Sequence, residues 1–176
     1  MQTITLHRPT LADLDQLLEF ELGNREFFER WINARPAQFY SREGVAAAIE
    51  LAQQEAGADH AYQYLVRDHG RLVARVNLTQ IKRAHYHSGS LGYRVGERET
   101  GRGIARHAVR LLLQQAFQEL ALARIEATCR PENPASIRVL STNGFRQFGH
   151  ARRAFELDGQ WFDLLYFEAH AADTHP

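Results

Sequence analysis

The chain is poor in sulfur and in lysine. Its one cysteine, Cys129, rules out an intrachain disulfide. Lys82 is its only lysine among 21 basic residues, so arginine carries nearly all the positive charge. Acidic residues also number 21. That balance excludes the broad basic field of a protein built to grip nucleic acid. No apolar run approaches the roughly 20 residues that cross a bilayer. The opening residues, Met1 to Pro9, lack the basic and apolar regions of a secretory signal. Repeats, low-complexity segments and linkers are absent as well. These absences lead us to expect a cytoplasmic protein with no membrane partner and no direct nucleic-acid partner. Composition is otherwise ordinary, with 176 residues, 44% of them hydrophobic and 24% charged. Such a chain can bury a sizeable core. One domain is expected over residues 1–170, with a frayed tail at 171–176.

Periodicity and punctuation divide the chain. Alternation over residues 2–8 predicts a strand that Pro9 ends. Thr10 then opens a helix, with Asp13 in capping-box position and Leu11, Leu14, Leu17 and Leu18 on its apolar face. A second helical piece runs from Asn24 to Ile32, and Pro36 breaks it. Ser41 caps a third helix through Ala56. Strands fit residues 61–68, 71–81 and 88–96, with Asp68-His69-Gly70 turning the first pair. A long helix is expected over 103–119. A strand from Leu122 to Cys129 follows. A short helix starts at Asn133-Pro134 and stops at Gly144. Two last strands, 145–157 and 160–168, join at Asp158-Gly159. The order β-α-α-α-β-β-β-α-β-α-β-β predicts an α+β fold, a mixed and mostly antiparallel sheet of about seven strands with helices on both faces.

The most informative segment runs from Leu91 to Ala105. It passes from an extended apolar run through a glycine-rich basic loop into a helix. Gly101 and Gly103 allow a tight bend, and the first N–H groups of the helix have no internal partner. The helix dipole adds partial positive charge there, which suits a pyrophosphate. Arg98 and Arg102 can add charge-assisted hydrogen bonds. A Walker loop is excluded, because no G-x-x-x-x-G-K-[ST] string occurs. A dinucleotide fingerprint is excluded because Ile104-Ala105-Arg106 follows Gly103 and the third glycine is missing. What the loop resembles is the R/Q-x-x-G-x-G/A signature of the GNAT acetyltransferases, read as Arg98-Glu99-Thr100-Gly101-Arg102-Gly103.

A second segment strengthens that resemblance. Arg124 to Phe145 is similar to the GNAT pattern of a strand, then N-x-x-S at Asn133 and Ser136, then a helix ending in Gly144-Phe145. Spacing and element order agree with the family along essentially the whole chain. Within it, the chain resembles the RimJ/RimL branch, which acetylates ribosomal-protein N-termini. The strings that carry this are Glu21 to Trp31, Leu91-Gly92-Tyr93-Arg94 and Asp158 to Asp163. The same branch also contains enzymes acting on polyamines, antibiotics and toxic peptides.

The resemblance implies direct transfer from acetyl-CoA to a primary amine, without a metal. It implies that the backbone of Tyr93, Arg94 and Val95 pairs with the pantetheine arm. Gly101, Arg102, Gly103, Ile104 and Ala105, with Arg98, would hold the pyrophosphate. Asn133 would bond the pantetheine or the ligand's far end, and Ser136 would lie by the thioester sulfur as the catalytic acid. Both Asn133 and Ser136 also suit plain helix capping. Many relatives carry a tyrosine acid on this helix, yet no tyrosine occurs between Tyr93 and Tyr166. Some place a glutamate on the next-to-last strand, where Phe155 stands here and Glu156 follows one residue later, on the opposite face unless a bulge intervenes.

The acceptor amine must lose a proton. At neutral pH that costs about 4–5 kcal/mol for a lysine side chain and about 1 kcal/mol for an α-amine. Glu21, Glu97 and Glu99 are candidate bases, none singled out by position. His85-Tyr86-His87 lacks a third metal ligand and suits a surface loop. Cys129 suits a buried core thiol. The acceptor groove is expected from residues 20–60 and 82–88. The leading reading is acetylation of a protein N-terminal α-amine, of the ribosomal-protein alanine type. The alternatives are a small amine such as a polyamine, antibiotic or amino-acid derivative, or a non-catalytic CoA-binding module. The protein is expected to be a monomer or homodimer.

Overall fold

A computed structural model describes residues 4–171. The 171–176 tail thus lies almost wholly outside the described residues. A seven-stranded sheet organises the chain, in the order β1-β2-β3-β4-β5-β7-β6. The strands are β1 (Ile4–His7), β2 (Tyr62–Asp68), β3 (Arg71–Lys82), β4 (Ser88–Val95), β5 (Arg124–Cys129), β6 (Arg146–Leu157) and β7 (Gln160–His170). Only β4 and β5 pair in parallel. The helices are α1 (Leu14–Gly23), α2 (Arg25–Glu29), α3 (Arg42–Gly57), α4 (Ile104–Gln114) and α5 (Pro134–Thr142). The fold is the expected α+β one with a mixed sheet.

Strand alternation sorts the two faces. Tyr64 and Val66 of β2, with Val76 and Leu78 of β3, join Ile104, Ala108, Val109 and Leu112 of α4 in the main core. Leu65, between Tyr64 and Val66, points to the other face. There it packs with Leu17 of α1 and with Val45 and Ile49 of α3. Helices therefore cover both faces.

Local chemistry explains the boundaries. The first helix begins later than expected, after a 3-10 turn at Leu11–Asp13. Asp13 accepts from the Thr10 backbone N–H at 2.8 Å and from its hydroxyl at 2.9 Å, while Leu11 stays exposed. Ser41 accepts from Gly44 N–H at 3.0 Å and caps α3. The helix after the glycine loop keeps α geometry only to Gln114. Gln115–Glu119 then forms a π turn. At the last hairpin, Asp158 and Gly159 both take positive φ, 49° and 78°, as a two-residue turn of the primed type needs.

Candidate functional site

The parallel pairing of β4 with β5 stops early. It spans Ser88–Leu91 against Arg124–Ala127 and goes no further. Beyond it the strands splay, and the β5 side of Gly92–Val95 has no strand partner. A cleft of about 1280 Å³ opens there. Its lining comes from both faces of the sheet. Val76, Tyr93, Ile104 and Ser136 belong to the α4 side, while Arg75 and Arg94 belong to the α1 side. The cleft therefore passes through the splay.

One end is the glycine loop. Gly101 and Gly103 adopt φ of 75° and 76°, and Gly103 is the N-cap of α4. A side chain at either position would meet no neighbour, so backbone conformation is what demands glycine there. Arg102 lines this end, paired with Glu99 and with Asp68. Arg106 and Arg138 join it, and sequence reasoning missed both. Every expected site residue lines the cleft except Arg98. Arg98 falls in a 3-10 turn at Glu97–Glu99, is exposed and does not line the cleft.

The middle of the cleft holds a side-chain pair. Asn133 Oδ1 accepts from Ser136 N–H at 3.0 Å and caps α5. Tyr93 Oη lies 2.7 Å from Ser136 Oγ. The sequence offered no tyrosine on α5, yet the phenol arrives from β4. Burial pushes the Tyr93 hydroxyl up to about 12, which keeps it neutral at physiological pH. Cys129, at the end of β5, is buried beside Ser136. Burial raises its thiol above the ordinary value.

The far end is aromatic and cationic. Phe27, Phe28 and Trp31 line it with Arg35, Arg75 and Arg94. Arg75 and Arg94 are direct cross-strand partners. Behind them Glu21 of α1 is 1% exposed and ion-paired to Arg75, to Arg94 at 3.2 Å and to Arg35 at 3.9 Å. Burial pulls Arg94 down to about 10, against the opposing pull of Glu21. Glu21 does not line the cleft, and neither does Glu97, which is exposed beside Arg30. Glu99 lines it but is held by Arg71 and Arg102. None of residues 82–88 lines the cleft, whereas Phe27, Phe28, Trp31, Ile32 and Arg35 from residues 20–60 do. A bulge does interrupt β6 between Ala151 and Phe155, yet Glu156 remains exposed and outside the cleft. No cluster of metal-ligating side chains occurs among the described residues, His85 and His87 included. No helix among them is long and apolar enough to cross a membrane.

Comparison with known proteins agrees with this architecture. The family model described as an acetyltransferase (GNAT) domain matches residues 3–146. The "Probable N-acetyltransferase YjcK" of Bacillus subtilis is 34% identical over 92% of this chain and 91% of its own. The ribosomal-protein-S5-alanine acetyltransferase of Vibrio fischeri superposes with a TM-score of 0.93 at 24% identity, covering 100% and 97% of the two chains. Mycobacterium smegmatis RimJ in complex with CoA-disulfide gives 0.91 at 26% identity, over 98% and 84%. A spermidine N-acetyltransferase from Vibrio cholerae, in complex with CoA and spermine, gives 0.82 at 22%, over 97% of each chain.

Proposed function

The chain belongs to the GNAT acetyltransferase family, an acyltransferase whose co-substrate is acetyl-CoA, and on that premise we propose that its acceptor is an α-amine, that of a protein N-terminus. One observation carries the choice of amine. Among the described residues, the only carboxylate lining the cleft is Glu99, and two arginines occupy it. A lysine or polyamine nitrogen, with a pKa near 10.4, needs a base and a counter-charge that this cleft lacks. An α-amine, near 8, is largely prepared by water alone.

The residues present fit acetyl-CoA. The left-handed glycines, the N-terminus of α4 and Arg102, Arg106 and Arg138 suit its phosphates. The unpaired edge at Tyr93, Arg94 and Val95 suits the amide groups of its pantetheine arm, as an added strand would. In the transfer, the acceptor nitrogen bonds to the acetyl carbonyl carbon and the carbon–sulfur bond breaks. The amine gives a proton to water. Ser136 gives its hydroxyl proton to the departing thiolate and takes one back from the water that received the amine's proton, while Tyr93 donates to Ser136 Oγ and so turns the serine proton into the cleft. Asn133 fixes the first turn of α5 and thereby the serine.

The test is free-thiol release from acetyl-CoA against peptides with N-terminal Ala, Ser or Thr, polyamines, aminoglycosides and free amino acids. Turnover on the peptides is expected. Turnover confined to polyamines or aminoglycosides would contradict the α-amine reading. No thiol release on any amine would leave a CoA-binding module.

A further inference from the structure

Glu21 is one carboxylate among three guanidiniums. Arg75 and Arg94 face each other across β3 and β4, a like-charge pairing that is unfavourable by itself. Glu21 offsets part of that repulsion from behind. It is also the one carboxylate acting on Arg35 and on Arg94; Arg75 repels both, Arg35 repels Arg94, and Tyr40 adds a smaller contribution of the same sign as Glu21. The group therefore carries surplus positive charge, and all three arginines border the open cleft while Glu21 does not.

Their hydrogen bonds are also incomplete. Arg75 is engaged by Glu21 and by Gln63 Oε1 at 2.7 Å. Arg35 stacks on Phe39 with its guanidinium carbon 4.2 Å from the ring centre, and its buried Nε lies 3.9 Å from Glu21 Oε2, too far for a hydrogen bond. A buried donor without an acceptor is costly unless something completes it. Arg94 directly follows Tyr93 on β4 and points to the opposite face. The cluster thus sits across the splay from the Tyr93–Ser136 pair.

We propose that Arg35, Arg75 and Arg94 form a docking site for an oxyanion, a carboxylate or phosphate, that the acceptor carries beside its amine. This rests on the α-amine reading above and narrows it to N-termini followed closely by an acidic or phosphorylated residue. The planar forks of arginine match both oxyanions. The same charge repels cationic acceptors.

The experiment compares equal-length amidated peptides that differ at the second residue only: Ala-Asp, Ala-phosphoserine, Ala-Asn and Ala-Lys. The kcat/KM of the acidic peptides is expected to exceed that of Ala-Asn by about 10- to 100-fold, with Ala-Lys slowest. The Asp and phosphoserine arms identify which oxyanion the site takes. Arg35→Gln should bring the acid-to-neutral ratio towards one. Its melting temperature and acetyl-CoA affinity report whether the fold survives. A ratio near one in the wild type, or a ratio untouched by Arg35→Gln in a folded protein, overturns the proposal. Calorimetry of the N-acetylated Asp and Asn peptides with CoA present reads the same preference without turnover. Failure of every peptide to react would sink the α-amine reading alone, while equal calorimetric affinities would sink the oxyanion site.

Discussion

Glu21→Gln is the substitution whose consequence follows most directly from packing. Glutamine keeps the shape and one acceptor oxygen but removes the only carboxylate shared by Arg35, Arg75 and Arg94. Glu21 is 1% exposed, so water cannot take its place. Removing one partner from a buried ion pair costs about 3–5 kcal/mol, because the remaining charge is left uncompensated. The arginines border an open cleft, with side chains 12%, 21% and 32% exposed for Arg75, Arg94 and Arg35. Partial solvation therefore points to the lower end, about 3 kcal/mol. For a chain of this size each kcal/mol moves the melting temperature by about 2–4 °C, so a drop of about 6–12 °C is expected. Differential scanning fluorimetry in low-salt buffer reads it. Asp15→Asn is the control, since its pair with Arg42 is 72% and 61% exposed and should move the midpoint by little. A small carboxylate such as glutarate should close part of the Glu21→Gln gap by completing the arginines. A midpoint within about 2 °C of the wild type would refute this reasoning.

Three further substitutions test separate parts of the account. Ser136→Ala should lower kcat by about 10²-fold with little change in KM for acetyl-CoA, and Tyr93→Phe should lower it less; a normal rate for Ser136→Ala would leave that residue a purely structural member of α5. Gly44→Ala would ordinarily favour a helix, but its Cβ would collide with the Gln38 carbonyl oxygen, so a loss of about 1–3 kcal/mol is expected in urea melts, whereas Gly57→Ala, with open space around it, should be neutral or stabilising. Burial pushes the Asp13 carboxyl up, but bonds from Thr10, Arg67 and His7 outweigh it and hold the group at about 2, below its ordinary 3.8. The stability this provides is complete above about pH 4 and lost as pH falls through 2, on the order of 2 kcal/mol, and Asp13→Asn should flatten that limb of the acid-unfolding curve.

Much of the frame was legible because it rests on local chemistry. The hairpin at Asp158-Gly159 needs two residues tolerant of positive φ, and those two residue types announce it. The cradle needs glycine at 101 and 103 for the same reason. Asn133 is legible as a cap because its side chain accepts from the Ser136 N–H, and that position also puts it in the cleft lining. The parts that were not legible depend on contacts between distant segments. Tyr93 meets Ser136 only because β4 and β5 splay and α5 packs into the gap. The arginine cluster gathers Glu21, Arg35, Arg75 and Arg94 from α1, a loop and two strands. One signal for it was available: Arg75 interrupts the apolar run Val73-Ala74-Arg75-Val76, and a charge inside a central strand asks for a partner. Arg98 lies outside the cleft lining in a 3-10 turn, and periodicity does not foretell such a turn.

The measurement closest to the central claim uses one peptide with an N-terminal alanine, an aspartate at position two and a single internal lysine. The protein is incubated with it and acetyl-CoA, and tandem mass spectrometry locates the acetyl group while thiol release counts turnovers. The account predicts stoichiometric acetylation of the α-amine with the lysine unmodified. Acetylation of the lysine side chain, with the α-amine untouched, would contradict it.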